Sequence, residues 1–282
     1  MDNFDVLYHY TTLGTFEKIV KNGYMAMFDI VKSNDPLEGE FAIKSIKDAY
    51  EKIRIYEKLS EDRLSNLQRA YHAFLDEVES YGRPHNVICS LSFCIPTHNL
   101  LLWRTYGDNG KGIAIGVGKS ELEKFNNYAN FEFRKVEYKS KDDYSAMAKE
   151  MLLCVSEMSK NDALIKILAF YIEGYFIKEL YNSDEEEYRL IFKGIDLTNY
   201  TLPSTGEKID NVEMLVTSND DMKVLYKLSI QKNAGEINEP FLKINNVLIG
   251  PNCKSNVQEI RLLLRLHDVD DYSIIQDDIS MR

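Results

Sequence analysis

The chain has 282 residues, of which 44% are hydrophobic and 28% charged, and it carries a formal net charge of −11. This composition is typical of a soluble globular protein with one large core or two small ones, and the acidic balance argues against broad nucleic-acid binding, which needs a basic surface. No apolar run reaches the roughly 18 residues of a membrane span. The first residues are acidic where a secretion signal is basic, so we expect a cytoplasmic protein without membrane contact.

Strands and helices are mixed in the first part of the chain. A strand is predicted over about Val6 to Tyr10, with His9 between two tyrosines, and a helix follows that ends at Gly23. From about 37 to 82, apolar residues recur at helical spacing. This region is predicted to be a helical insertion, a hairpin broken near Ser60.

The segment NVICSLSFC predicts a strand with one polar face. Its apolar side chains alternate with Ser90 and Ser92, a pattern typical of a strand buried on one side only. The next segments predict a short helix and turn (LLLWRTYGDNG) and a buried strand (KGIAIGV). A helix at SELEKF follows, with Ser120 and Glu123 spaced as a capping box.

The C-terminal half is predicted to hold two helices at about 142–181, then strands and one last helix. Strands are expected at EEYRLIFKG, near 224–230, near 241–249 and at YSIIQ. The last helix is expected to start at Ser255, with Gln258 as its capping-box partner. Because strands and helices do not alternate strictly, we expect an α+β fold, not a doubly wound parallel sheet.

Two other features of the sequence do not form the sites that they suggest, a phosphate-binding loop and a cysteine-based metal or disulfide site. Gly112 and Gly118 enclose five residues where a phosphate-binding loop of the Walker type has four, and these residues, IAIGV, form a predicted strand. The four cysteines form no C-x-x-C pair. Neither zinc nor a disulfide framework is therefore expected, and no metal site is predicted.

The acidic run DEEEYRLIF contains candidate catalytic carboxylates. In a strand that starts there, Glu187 and Arg189 project to one side of the sheet, and a strand extended back to Glu185 would add a second carboxylate to that side. Such a pair suits reactions at a glycosidic carbon. One carboxylate can stabilise an oxocarbenium-like transition state, and the other can orient or deprotonate the attacking group. Arg189 could bind a phosphate or hold Glu187 in place, and a solvated acidic loop is the alternative without function.

Seven stretches, in order along nearly the whole chain, resemble the bacterial family called domain of unknown function 2971. They are LYHYTT, SNDPLEG, CSLSFC, LLWRTYGDNGKGIAIGV, EEEYRLIF, VLIGPNCKSNVQEI and ISMR. That family resembles a distant branch of the ADP-ribosyltransferase-like fold. The resemblance implies one domain over residues 1–282 with a split, mostly antiparallel sheet. It also implies NAD as co-substrate, bound in a cleft between the two halves of that sheet.

The same resemblance implies roles for three catalytic residues. His9 matches the histidine on the first core strand that contacts the nicotinamide ribose. Glu187 matches the catalytic glutamate on a later strand, and Glu185 is the other member of the Glu-x-Glu pair. We therefore expect His9 and Glu187 to meet across one cleft.

Six further residues are implied to bind NAD: Tyr10, Thr11, Ser92, Tyr106, Arg189 and Asn34. Tyr106 is the first choice for the tyrosine that stacks on the nicotinamide, with Tyr24 or Tyr10 as alternatives. Thr11 either caps the following helix or contacts a ribose. Asn34 either forms part of a turn or lines the cleft.

Three functions follow as hypotheses. The first is an enzyme that cleaves NAD and passes ADP-ribose to protein or nucleic acid, or to water as an NAD glycohydrolase; by analogy it would act in a bacterial toxin or anti-phage defence system. The second is a non-catalytic module that binds a nucleotide or a protein. The third is a metal-dependent nuclease using Asp35 and the glutamates, which the acidic composition disfavours.

Overall fold

The computed structural model describes residues 5–30, 37–79, 86–95, 100–196, 211–216, 222–230 and 241–278. The helices are α1 (Leu13–Asn22), α2 (Leu37–Tyr56), α3 (Glu61–Glu79), α4 (Leu100–Thr105), α5 (Lys119–Glu123), α6 (Lys141–Val155), α7 (Lys160–Glu173) and α8 (Val257–Leu266). The strands are β1 (Val6–Thr11), β2 (Tyr24–Asp29), β3 (Asn86–Cys94), β4 (Ile113–Gly118), β5 (Phe131–Lys135), β6 (Glu137–Lys139), β7 (Ile177–Glu179), β8 (Glu187–Asp196), β9 (Val212–Val216), β10 (Met222–Ser229), β11 (Ile244–Ile249) and β12 (Ser273–Gln276).

A ten-stranded, mostly antiparallel sheet forms the centre of the molecule. Its main path runs β12-β11-β4-β1-β3-β2-β10-β9, and β8 pairs with both β3 and β5. Strand β1 meets β3 at one register position, Tyr8 opposite Cys94, but pairs with β4 from Val6 to Thr11. The sheet therefore diverges into two halves between β1 and β3. The expected α+β class and the mostly antiparallel sheet are confirmed.

Three clusters of buried side chains surround the sheet. The largest fills one face and includes apolar residues of α1 and α8. A second joins α2, α3, α6 and α7 to the other face, where it includes Ile191 of β8. The third is small and lies under α4, where Tyr8, Tyr10 and Cys94 pack with Leu102, Trp103 and Ala114. Along one face of the sheet, the polar residues of β3 and β8 thus lie between the second and the third cluster.

Several predicted elements are confirmed and others need correction. The helical hairpin breaks between α2 and α3, where the Ser60 hydroxyl accepts a hydrogen bond from the Arg63 amide at 3.4 Å. The predicted helices at 142–181 end earlier, because α7 stops at Glu173 and residues 177–179 form strand β7. Helix α5 starts at Lys119 without a side-chain cap, so the predicted Ser120 cap is wrong.

The cap of the last helix is also shifted from its predicted position. Asn256, not Ser255, caps α8, and its capping-box partner is Glu259 instead of Gln258. Both spacings satisfy the same three-residue rule, and the chain takes the pair in which an amide oxygen accepts from two backbone N–H groups. Throughout the described ranges, no helix combines the length and the apolarity needed to cross a membrane.

A glycine-rich turn after α4 interlocks with the turn after β11. Asp108, Asn109 and Gly110 are consecutive left-handed residues with φ of 48°, 54° and 79°. The amide of Asn252 donates to the Gly110 carbonyl at 2.8 Å, and the amide of Gly250 donates to the Gly112 carbonyl at 3.0 Å. These backbone contacts fix the segment that carries Tyr106.

Gly112→Ala is expected to destabilise the protein by about 1–3 kcal/mol, because a methyl group there overpacks the interlock. A Cβ atom at Gly112 would lie 2.1 Å from the Thr11 carbonyl oxygen, a backbone atom that cannot rotate away. Gly14→Ala in α1 is the matched control, since nothing lies within 4 Å of its Cβ position, and it should stabilise by up to about 1 kcal/mol. Urea unfolding of both variants checks the difference, and equal stabilities would contradict this packing.

Candidate active site

Five polar residues form a compact group, here called the carboxylate cluster: Ser92, Lys178, Glu185, Glu187 and Arg189. Three of them come from paired strands, because Ser92 of β3 lies opposite Arg189 of β8, and Cys94 lies opposite Glu187. Residues two apart on a strand share a face. The pairing therefore brings Ser92, Glu187 and Arg189 to one side of the sheet, next to the point where its halves diverge.

Glu187 is held rigidly through one of its two carboxylate oxygens. The residue is only 2% exposed. Its Oε1 accepts a hydrogen bond from the Ser92 hydroxyl at 2.5 Å and from Arg189 Nε at 2.8 Å, and Arg189 Nη2 also lies 2.8 Å away. Arg189 is itself buried and donates through Nη1 to the Tyr175 carbonyl. This oxygen is therefore fully engaged by the protein.

The other oxygen of Glu187, Oε2, faces a lysine instead of Ser92 and Arg189. Lys178 Nζ lies 2.7 Å from Oε2, yet Oε2 has no partner in hydrogen-bond geometry among the described residues. Lys178 instead directs a hydrogen bond to Glu185 Oε2 at 2.8 Å. Oε2 is thus neutralised by a neighbouring charge but retains its capacity to accept a directed hydrogen bond.

Glu185 reaches the cluster from a turn and not from a strand. It ends a 3-10 segment, Leu180–Glu185, and the following Glu186 is left-handed with φ of 44°. The predicted extension of the strand back to Glu185 is therefore wrong, because β8 starts at Glu187. The left-handed residue still turns the Glu185 side chain towards Lys178, and Tyr106 donates its hydroxyl to Glu185 Oε1 at 3.1 Å.

The charges around Glu187 determine its protonation state. Burial alone would raise its pKa, but the positive charges of Arg189 and Lys178, the short contact with Lys178 and the Ser92 hydrogen bond lower the pKa from 4.5 to about 2. Glu187 is therefore an anion at every pH at which the protein would work. The two carboxylates and the two cations of the cluster balance each other.

His9 borders the same cluster through Ser92. Its Nδ1 lies 2.9 Å from the Ser92 carbonyl oxygen. Since a carbonyl only accepts, we assign the proton to Nδ1. Burial lowers the pKa of His9, so the neutral ring dominates near pH 7 and Nε2 keeps an acceptor lone pair. Ser92 thus contacts His9 through its carbonyl and Glu187 through its hydroxyl.

The remaining predicted residues lie in different surroundings. Tyr10 is buried edge-on against Trp103, with ring centroids 4.9 Å apart, and Thr11 is buried in β1 opposite Ile113. Thr11 does not cap α1, because Thr12 does so by accepting from the Thr15 amide at 3.1 Å. Asn34, like Asp35, lies outside the described residues.

Tyr106 differs from Tyr10 in its exposure. It is 37% exposed, and partial burial with the nearby Glu185 carboxylate raises the pKa of its phenol. Its hydroxyl therefore stays protonated at neutral pH and its ring faces solvent beside the cluster. Of the candidate stacking tyrosines on β1 and after α4, Tyr106 is the accessible one.

Sequence reasoning missed two residues of the site. Lys178 lies in a segment, FIKEL, whose apolar spacing continues that of the helix before it, so strand β7 and its lysine were not predicted. Tyr138 of β6 accepts a hydrogen bond from the Glu187 amide at 2.9 Å, and β6 pairs with β7. Both residues belong to this short two-stranded ribbon, whose pairing carries no local sequence signal. Within the ranges that the structure describes, no three His, Cys, Asp or Glu side chains group as metal ligands.

Residues 102–190 match the model of a family described as Protein of unknown function (DUF2971). This confirms the family resemblance over a segment that runs from α4 to β8 and includes Tyr106, Lys178, Glu185 and Glu187. No curated protein and no solved structure matches the chain. The relationship to the ADP-ribosyltransferase-like fold stays a prediction.

Proposed function

We propose that this protein cleaves the bond between nicotinamide and ribose in NAD and transfers ADP-ribose to a macromolecule or to water. The observation that supports the proposal is the state of Glu187. It is a buried, ionised carboxylate with one oxygen held in place and one oxygen, Oε2, still able to accept a hydrogen bond. It lies where the two halves of the sheet diverge.

The chemistry of the bond fits this carboxylate. When the glycosidic C–N bond breaks, its electron pair leaves with nicotinamide and positive charge develops on the ribose. A carboxylate with a pKa of about 2 holds no proton to donate and is a weak base at neutral pH. It can therefore stabilise the developing cation electrostatically, and its fixed position reduces the reorganisation needed during the reaction.

The neighbouring residues supply the other roles. Glu185 is more exposed than Glu187, with 13% of its side chain accessible compared with 2%, and it would take the proton that the attacking acceptor loses. His9 Nε2 would accept from a ribose hydroxyl, and Tyr106 would stack on the nicotinamide ring. Because the charges of the cluster cancel, it suits the ribose end of NAD better than the pyrophosphate.

Nicotinamide release from NAD tests the proposal. We expect release by the wild-type protein, and transfer of labelled ADP-ribose if a suitable acceptor is present. Glu185→Gln should lower the rate of ADP-ribose transfer by about 10²-fold or more, the loss typical of a group that takes a proton in the transition state. Glu123→Gln, at an exposed carboxylate on α5, is the matched control and should leave the rate unchanged. If the wild-type protein shows no turnover with any acceptor and no thermal shift on adding NAD, the proposed function is refuted.

A non-catalytic binding module is the second candidate, and one observation favours it. Both oxygens of Glu187 already face protein cations, so the cluster is electrically complete without a ligand. A module of this kind would bind NAD or a related nucleotide without releasing nicotinamide. Binding measured by calorimetry alongside the release assay separates the two candidates.

A further inference from the structure

We propose that Lys178 is a resident counter-ion that occupies the subsite for a cationic N-ribosyl ligand and leaves Glu187 when that ligand binds. This inference rests on the proposed function, because it identifies what the substrate must displace. Lys178 would be a positioning residue that acts through Glu187. The argument depends on the unequal surroundings of the two Glu187 oxygens.

The two carboxylate oxygens of Glu187 differ in how strongly protein groups hold them. Oε1 accepts directed hydrogen bonds from Ser92 and Arg189, which belong to the paired strands β3 and β8. Oε2 faces the Lys178 ammonium at 2.7 Å without hydrogen-bond geometry. A ligand can therefore approach Oε2 by displacing a charge contact while the carboxylate remains anchored through Oε1.

Lys178 has a second carboxylate to which it can remain attached. Its directed hydrogen bond goes to Glu185 Oε2 at 2.8 Å, so the ammonium keeps that bond when it leaves Glu187. Glu185 and Lys178 are only seven residues apart and lie on one continuous segment, β7 and the 3-10 turn after it. The Lys178 ammonium can thus move from Glu187 towards Glu185 without rearrangement of the central sheet.

The position of Lys178 also matches the charge that the reaction creates. Its ammonium group places one positive charge beside Oε2, the position at which a cationic ring or an oxocarbenium-like ribose would be stabilised. The resting protein thereby avoids an uncompensated buried carboxylate, which would be costly. A cationic ligand and Lys178 cannot both occupy this position, because like charges at such a distance repel each other.

The experiment measures binding of nicotinamide riboside, a cationic N-ribosyl pyridinium, by calorimetry. Lys178→Met should bind it more tightly than the wild type, on the order of tenfold, and should lower the KM for NAD in proteins that turn it over. Lys166→Met, at an exposed lysine on α7, is the matched control and should bind as the wild type does. Equal or weaker binding by Lys178→Met, or no binding by any of the proteins, would overturn the inference.

The outcomes separate this inference from the proposed function. Tighter binding by Lys178→Met in a protein that never releases nicotinamide supports the counter-ion and refutes the enzyme. Nicotinamide release by the wild type, without tighter binding by Lys178→Met, supports the enzyme and refutes the counter-ion.

A second measurement needs no substitution and covers the case in which Lys178→Met does not fold. Acetic anhydride labels accessible amines, and labelling of Lys178 relative to Lys166 in the wild-type protein should rise several-fold when nicotinamide riboside is added. Unchanged or reduced labelling of Lys178 at a saturating ligand concentration would show that the ammonium does not leave Glu187.

Discussion

Replacement of Glu187 by glutamine is expected to lower the free energy of unfolding by about 3–5 kcal/mol, the usual cost of removing one partner of a buried ion pair. Glu187 contacts both Arg189 and Lys178, and the two cations are 1% and 8% exposed. A glutamine keeps the shape of the side chain but removes the charge that faces both. Urea unfolding of the variant and of the wild type at pH 7 measures the difference.

The double variant Glu187→Gln/Lys178→Met is the control for this charge imbalance. Removing one cation together with the carboxylate should recover part of the lost stability, because Arg189 alone then lacks its partner on Glu187. A single variant as stable as the wild type would contradict the burial of this ion pair. The result also bears on activity assays, since a loss of turnover in Glu187→Gln is informative only for the fraction that remains folded.

Acidification is expected to remove about 3 kcal/mol of stability through Glu187 alone. Its pKa falls from 4.5 to about 2 on folding, and each unit corresponds to about 1.4 kcal/mol. A group whose pKa is lowered by folding contributes stability that is fully present above its unfolded pKa. That stability is lost as the pH falls from about 5 towards 2. Denaturant unfolding at pH 7, 5, 4 and 3 follows the loss.

The same titration of Glu187→Gln identifies the source of the effect. The variant should lose less stability over this interval than the wild type does, and identical pH profiles would contradict the depressed pKa.

His9 affects the stability of the fold in a different pH interval. Burial lowers its pKa below 6.5, so the stability that the neutral ring contributes is lost as the pH falls from the unfolded pKa of about 6.5 towards the lower folded pKa. His9→Gln should flatten that part of the profile.

The alternation of polar and apolar residues was sufficient to predict which side chains share a face of a strand. Glu187 and Arg189 project to one side of β8, while Tyr188, Leu190 and Phe192 pack in the large core on the other. Ser92 likewise lies on the polar side of β3. These predictions are reliable because a strand has a period of two residues, which depends on the backbone alone.

Contacts between distant strands could not be predicted from the residues themselves. That Ser92 contacts Glu187 follows from the register of β3 with β8, a pairing between segments 95 residues apart. Lys178 was missed because β7 has three residues and follows a helix with a similar apolar pattern. The approach of Glu185 depends on the left-handed Glu186, a position where the sequence has no glycine to indicate the turn.

A structure of the protein with a non-cleavable NAD analogue tests the central claim most directly. The measured quantity is the distance from the anomeric carbon of the nicotinamide ribose to Glu187 Oε2. We predict about 3.5 Å, near enough for the carboxylate to stabilise the developing positive charge, with the Lys178 ammonium displaced from Glu187 and still bonded to Glu185. An analogue bound elsewhere, or bound while Lys178 keeps its contact with Oε2, would contradict the account.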